Sequence, residues 1–236
     1  MILPTVERIP VSTPSGQQTS DAVLEEAAAD AVRQGTDIRE KVQELTLDAL
    51  QGRRFDRHSI REVVRAVTEG AVQGSGSNRA QMREAMSEML HGLDQALRVS
   101  AKAGHVALTE LTATGRAFSD SDLKAALSNL RRIEEDFLGT VKQVADAANS
   151  QVRPELREAL RSAQQTGTET GREVALAMGD FAQKFTAASF DAALVGLETA
   201  NEFGQRFALV ASGVLGGLAE ALRKKDTKDP GNTGAG

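Results

Sequence analysis

The sequence predicts an all-α protein, an elongated antiparallel helical bundle of coiled-coil-like hairpins with disordered termini. Three observations carry that expectation. Pro4, Pro10, Pro14 and Pro230 lie in the two tails, and only Pro154 falls between them. Proline inside a helix removes a donor and clashes with the preceding turn, so the interval from about residue 20 to 223 is open to helix. Apolar residues within it recur at helical spacing. The chain also has eight Phe but no Tyr or Trp. Aromatic side chains normally supply much of a large core, so Ala, Leu, Val and Gly must make most contacts, which favours thin helix-on-helix packing.

Taken in order, "MILPTVERIPVSTPSG" has three prolines and no basic n-region. It does not read as a secretory signal, and residues 1–18 are expected to form a disordered tail. Residues 19–74 read as a helical hairpin. Leu24, Ala31, Ile38 and Leu45 recur every seven residues, with Ala28, Gly35, Val42 and Ala49 in the alternate places. This is a coiled-coil-like seam, with Glu25, Arg33, Asp37, Glu40, Lys41 and Glu44 on the other faces. "QGRRFDRH" breaks it. Ser59 and Glu62 then predict a capping box for a short helix carrying Ile60, Val63, Val64, Val67 and Ala71.

"GSGSN" at 74–78 is the clearest internal linker, with Asn78 as the next N-cap. Residues 78–153 are expected to form long amphipathic helices. Met82, Met86, Met89, Leu90, Leu93, Leu97, Leu108 and Leu111 share one stripe; a helix restarts near 120 after "FSDSD"; and Leu123, Leu130, Phe137 and Val144 repeat every seven. Pro154 suits a helical first turn, where its missing donor has no partner to lose, and opens a region spanning 154–223. Within it "QQTGTETG" at 164–171 is the weakest helical stretch. Residues 224–236 are expected as a second disordered tail.

The last region differs in kind. Residues 174–222 hold seven charges in 49 positions, against eleven in 32 for residues 20–51, and five of the eight Phe lie there. "DFAQKF" at 180 and "EFGQRF" at 202 match in class at every position. On an eleven-residue frame Glu169, Asp180, Asp191 and Glu202 share one column, and Val174, Phe185, Gly196, Phe207 and Leu218 another. That period corresponds to about 3.67 residues per turn, so the apolar stripe of a straight helix barely drifts. Phe207 to Ala219 carries no charge, but a membrane span needs about twenty apolar residues, so no transmembrane span is expected. Gly213 and Gly217 form a small-xxx-small pair, as do Ala200 and Gly204. Helical glycine costs about 1 kcal/mol relative to Ala; with Gly179, Gly196, Gly204, Gly213, Gly216 and Gly217 in it, this region needs a partner surface. The candidate surface- or partner-binding residues are Phe181, Phe185, Phe190, Phe203, Phe207, Val214, Leu218 and Leu222.

Over about residues 120–222, the Ala-rich, Cys-free, heptad-bearing helices with scattered Phe and an uncharged amphipathic part resemble the phasins. These bacterial proteins coat polyhydroxyalkanoate storage granules. The resemblance implies a helical, often oligomeric, non-enzymatic coat on an apolar granule or lipid surface. The twenty-two-residue register is also similar to that of exchangeable apolipoproteins, whose proline punctuation is missing here. The alternative is a self-associating helical bundle acting as a scaffold or partner-binding module.

Recognisable catalytic chemistry is sparse. Absence of Cys excludes disulfides, thiolate metal sites and cysteine nucleophiles. A net charge of −5 argues against a nucleic-acid partner. Arg53, Arg54 and Arg57, like Lys224, Lys225 and Lys228, read as solvated surface. Glu88 and His91 form one Glu-x-x-His, but a di-iron bundle requires two. Ser121 and Lys124 lack the partner motifs of serine acyl-enzymes, and "GSGS" lacks the Lys-Ser/Thr of a phosphate loop. Met82, Met86 and Met89 read as core. The expectation is a cytoplasmic, non-enzymatic homo-oligomer, with peripheral attachment to granules or membrane as an extension of that reading, and no catalytic, cofactor-binding or metal residues.

Overall fold

The computed structural model describes residues 21–113, 120–184 and 200–228, and among these it is all helix and turn. The helices are α1 (Asp21–Gln34), α2 (Ile38–Gln51), α3 (Arg57–Gly74), α4 (Arg79–Ala113), α5 (Asp120–Arg131), α6 (Ile133–Ala147), α7 (Val152–Thr166), α8 (Glu169–Lys184) and α9 (Ala200–Lys228). The all-α class is therefore as the sequence predicts. Of the expected tails, residues 1–20 and 229–236 lie outside the described residues. The second expected tail begins too early, because α9 continues through Lys228.

The first seam needs a correction. Residues 24–49 form two helices, because Gly35 (φ +69°) and Asp37 (φ +54°) adopt left-handed backbone between them. Gly35 accommodates this without a Cβ penalty, and its N–H closes α1 on the carbonyls of Ala31 and Val32. Leu24, Ala28, Ala31, Ile38, Val42 and Ala49 nevertheless face the core, so the spacing gave the right face and the wrong continuity. The cap of α3 is also displaced: Asp56, not Ser59, is the N-cap, and its side chain accepts the Ser59 N–H at 2.9 Å. Asn78 caps α4 as expected, accepting from the N–H groups of Ala80 and Gln81.

At 35 residues, α4 is about 52 Å long. It packs against α2, α3 and α5 to α9. The Met82, Met86, Met89, Leu93 and Leu97 stripe is buried in this spine. One contiguous core runs from Leu24 in α1 to Ala219 in α9, so the boundaries read at 74–78 and 153–154 separate helices of one packed body. α1 lies against α3 at very short range. A Cβ placed on Gly70 would stand 2.1 Å from the Glu25 carbonyl oxygen, and one on Gly74 2.2 Å from that of Ala29. Only glycine permits that backbone approach.

Charged side chains tie the helices at their rims. Arg57 holds Asp136 with two bonds of 2.6 and 2.7 Å between α3 and α6, and Arg53 reaches Asp21 and Glu62. Two members of the basic spot at 53–57 are thus engaged in structural ion pairs. Arg39 clasps Glu88 at 2.8 and 2.9 Å, so the carboxylate of the Glu-x-x-His pair is occupied by an arginine. The buried hydroxyls of Thr46, Thr68 and Ser100 donate to carbonyls one turn back.

The 164–171 stretch does break the helix, as its composition suggests, at Gly167 (φ +76°). It is nonetheless firmly anchored. Asp94 of α4 accepts the N–H groups of Glu169 and Thr170 at 2.8 and 3.0 Å and the Thr170 hydroxyl at 2.7 Å. Thr168 accepts the Gly171 N–H and donates to Glu134. The start of α8 is therefore capped by a side chain about 75 residues earlier in the chain.

Candidate interaction face on the last helix

α9 contains the charge-free run, and its burial pattern follows the helical repeat. Phe207, Ala208, Ala211, Leu215 and Ala219 face inward. Val210, Val214, Leu218 and Leu222 are partly buried along the flanks of the core. Leu209 (76% exposed), Gly213 and Gly217 look outward. Between Phe207 and Ala219 the outer face thus meets water with one large apolar side chain, small residues and no charge. A helix uncharged on all sides is ordinarily covered on all sides.

The inward stripe is mostly alanine around a fully buried Leu215, and two further contacts hold α9 on either side of it. At one, Phe207 meets Phe55 edge-to-face, with centroids 5.8 Å apart. At the other, Arg223 pairs with Asp48 and Glu44 of α2. A recess of about 410 Å³ beside this second contact is lined by Glu40, Gln43, Glu44, Leu47, Ala219, Leu222 and Arg223. Burial pushes the Asp48 carboxyl above its ordinary value; Arg223 opposes this and nearby Glu44 adds to it. The clasp therefore carries an electrostatic penalty.

The structure revises how the candidate residues are arranged. Phe181 and Phe207, candidates for binding a surface or partner, are both 4% exposed. Their rings are the largest apolar groups on their helices and fill the core beside α4. Phe181 stacks on the edge of His105 at 5.5 Å, and His105 Nε2 lies 3.3 Å from Asp180. Phe203 lies on α9, while Phe185 and Phe190 lie outside the described residues. Val214, Leu218 and Leu222 border the core, and the outermost apolar residue, Leu209, was not among the candidates. Its signal was present in the sequence: it sits two positions from Phe207 and four before Gly213, on the opposite side of the helix.

α9's glycines differ from those of α3. A Cβ at Gly213, Gly216 or Gly217 would meet nothing within 4 Å. The space a neighbouring helix would fill is open. No helix among the described residues is long and apolar enough to cross a membrane, and no group of three or more His, Cys, Asp or Glu among them is placed to hold a metal ion.

Residues 14–224 match the model of a family of unknown function, DUF6781. The chain belongs to that family. No curated protein and no solved structure matches it. The match spans every helix through α8 and most of α9, so the outer face of α9 from Leu209 to Gly217 lies within the family's common region.

Proposed function

We propose that this member of DUF6781 is a non-enzymatic helical protein that associates with an apolar surface, a storage granule or lipid boundary, through α9. The observation that carries this reading is the uncharged outer face from Leu209 to Gly217. Water contact along that face is compensated by no charged group, and an apolar surface would remove it. Magnitudes set the mode of attachment. Burying Leu209 alone contributes about 2 kcal/mol, too little to hold a protein of this size. Firm attachment requires α9 to turn Phe207 and Leu215 toward the surface as well. The alanine-rich contact with the core makes this exchange cheaper than for a helix held by large side chains.

The test is co-sedimentation of the full chain with polymer particles or neutral vesicles. Leu209→Glu removes the outward apolar group and adds a charge while leaving the core intact. Association is expected to fall by at least about thirtyfold, the equivalent of 2 kcal/mol, with the circular dichroism spectrum unchanged. Unaltered association of a folded Leu209→Glu variant would overturn the reading. Because α9 is already helical, hydrogen exchange at residues 207–219 reports engagement better than a gain in helicity.

A second reading, self-association into a scaffold, is favoured by the open space over Gly213 and Gly217, which allows close approach of another helix. Gly213→Leu separates the two. It fills the space that a second copy would use and so abolishes the oligomer, whereas on a granule or lipid surface it adds apolar area and strengthens binding.

A further inference from the structure

Arg79 and Arg83 stand four apart on α4, and Arg157 and Arg161 four apart on α7, so each pair shares one helix face. The fold brings both pairs to a recess of about 440 Å³, lined also by Pro154, Glu155 and Glu158. Glu158 pairs with Arg161 and Asp146 with Arg157, so the excess positive charge lies with Arg79 and Arg83, two guanidinium groups over the single carboxylate of Glu155, in a chain whose net charge is −5. Asp146 takes up Arg157 from outside the recess, while Lys142 lines the adjoining hollow with Arg157 and Arg161.

The centre of the cluster is Glu155. It is only 1% exposed, yet the arginines over it are 75% (Arg79) and 60% (Arg83) exposed. Arg79 Nε donates to Oε1 at 2.6 Å and Arg83 Nε to Oε2 at 2.8 Å. One carboxylate therefore holds both planar groups in fixed orientation through a single nitrogen each. No acceptor among the described residues meets their terminal Nη groups. The hydrogen bonds from Arg83 and Arg79 outweigh the effect of burial and hold the Glu155 carboxyl below its ordinary value, so it remains an acceptor at neutral pH.

From this geometry we infer that the recess between α4 and α7 is a binding site for a phosphate-group anion, with Arg79 and Arg83 as its principal contacts and Glu155 as their positioning residue. Two preset guanidinium forks match the several oxygens of a phosphate, and arginine recognises such groups by paired charge-assisted bonds. Ordering the side chains beforehand removes part of the entropy that binding would otherwise cost. The site shares no residue with the outer face of α9 and goes beyond the function proposed for it.

The probes are inorganic phosphate and pyrophosphate, titrated calorimetrically into the full chain at constant ionic strength with acetate as the control anion. In parallel, flotation compares vesicles of acidic phospholipid with neutral ones. Phosphate binding that falls at least about tenfold in the Arg79→Gln, Arg83→Gln double variant is expected, with a smaller loss in the corresponding Lys variants, which keep charge but lose the fork. Arg33→Gln with Arg54→Gln, a distant double change of equal charge, and Leu209→Glu should both retain it. Arginine-dependent binding of phosphate alone identifies a free anion, and of acidic vesicles alone a lipid headgroup. Absence of binding in both arms, equal response to acetate, or binding unchanged in a folded double variant would overturn the assignment.

Discussion

Glycines four residues apart occur twice in this chain on helix faces, in opposite circumstances. In α3, Gly70 and Gly74 are buried, and the backbone of α1 occupies the space where their side chains would be. In α9, Gly213 and Gly217 are exposed and face open space. The first pair is a completed helix crossing and the second an unfilled one. The same spacing thus describes a feature of the core in one region and a candidate interface in the other. Only the neighbouring element distinguishes them.

The sharpest break of this contrast comes from filling the first pair. Gly70→Ala with Gly74→Ala forces carbon against carbonyl oxygens of α1, which no side-chain rotation relieves. The pair should cost about 4 kcal/mol and lower Tm by about 8–16 °C in a chain of this size, read by thermal denaturation. Removing the anchor of the open region is the next largest change. Phe207→Ala should cost about 3 kcal/mol and leave α1 to α3 protected, so hydrogen exchange should rise chiefly in α9. If protection is lost equally throughout, α9 is as integral as α3 and the contrast fails.

Gly213→Ala and Gly217→Ala have the opposite sign. With nothing in the way, each should stabilise by up to about 1 kcal/mol, visible as a shifted urea midpoint. Destabilisation by either would mean that the space is already occupied. α8 gives an intermediate case, fastened to α4 by a side chain. Asp94→Ala removes the acceptor of two backbone N–H groups and should cost about 1–2 kcal/mol, with exchange increasing first at Glu169 and Thr170.

Titration sharpens the comparison with the smallest effects. Asp48 in the α2–α9 clasp and Glu69 in α3 both have carboxyls raised by burial. Each binds its proton more readily folded than unfolded, so mild acidification favours the fold. Glu155 and Asp146 are lowered by arginine partners. Their contribution is complete above the ordinary carboxylate range and is lost as pH falls through it. Stability should therefore be level or slightly higher at pH 5.5 than at 7.5 and fall below about pH 4. Asp48→Asn should flatten the first part of this profile and Glu155→Gln the second, as followed by urea denaturation.

Much of the architecture was legible in local chemistry. The Gly-Ser turn, the Asn78 cap and the break at Gly167 all depend on residues within a few positions of the event. Errors arose where one local signal overrode another and where distant groups decide. The heptad continued across Gly35 because both flanking helices turn the same kind of face inward. Asp56 displaced Ser59 as cap because its carboxylate reaches the Ser59 N–H. Periodicity identified Phe181 and Phe207 as apolar anchors but not what they anchor to, since amphipathicity defines a face without naming its neighbour. The arginine recess depends on Glu155 meeting Arg79 and Arg83 across more than seventy residues, a distance invisible to spacing rules.

The long α4 helix has a bearing on biosynthesis. Since α2, α3 and all later helices lie against it, the first three helices leave the ribosome before the spine that α2 requires. The tightly apposed α1 and α3 are equipped to wait as a pair, whereas α2 must dock once residues 79–113 have emerged. A nascent chain from which α3 has cleared the ribosome but residues 79–113 have not should accordingly resist protease across α1 and α3 while remaining vulnerable in α2.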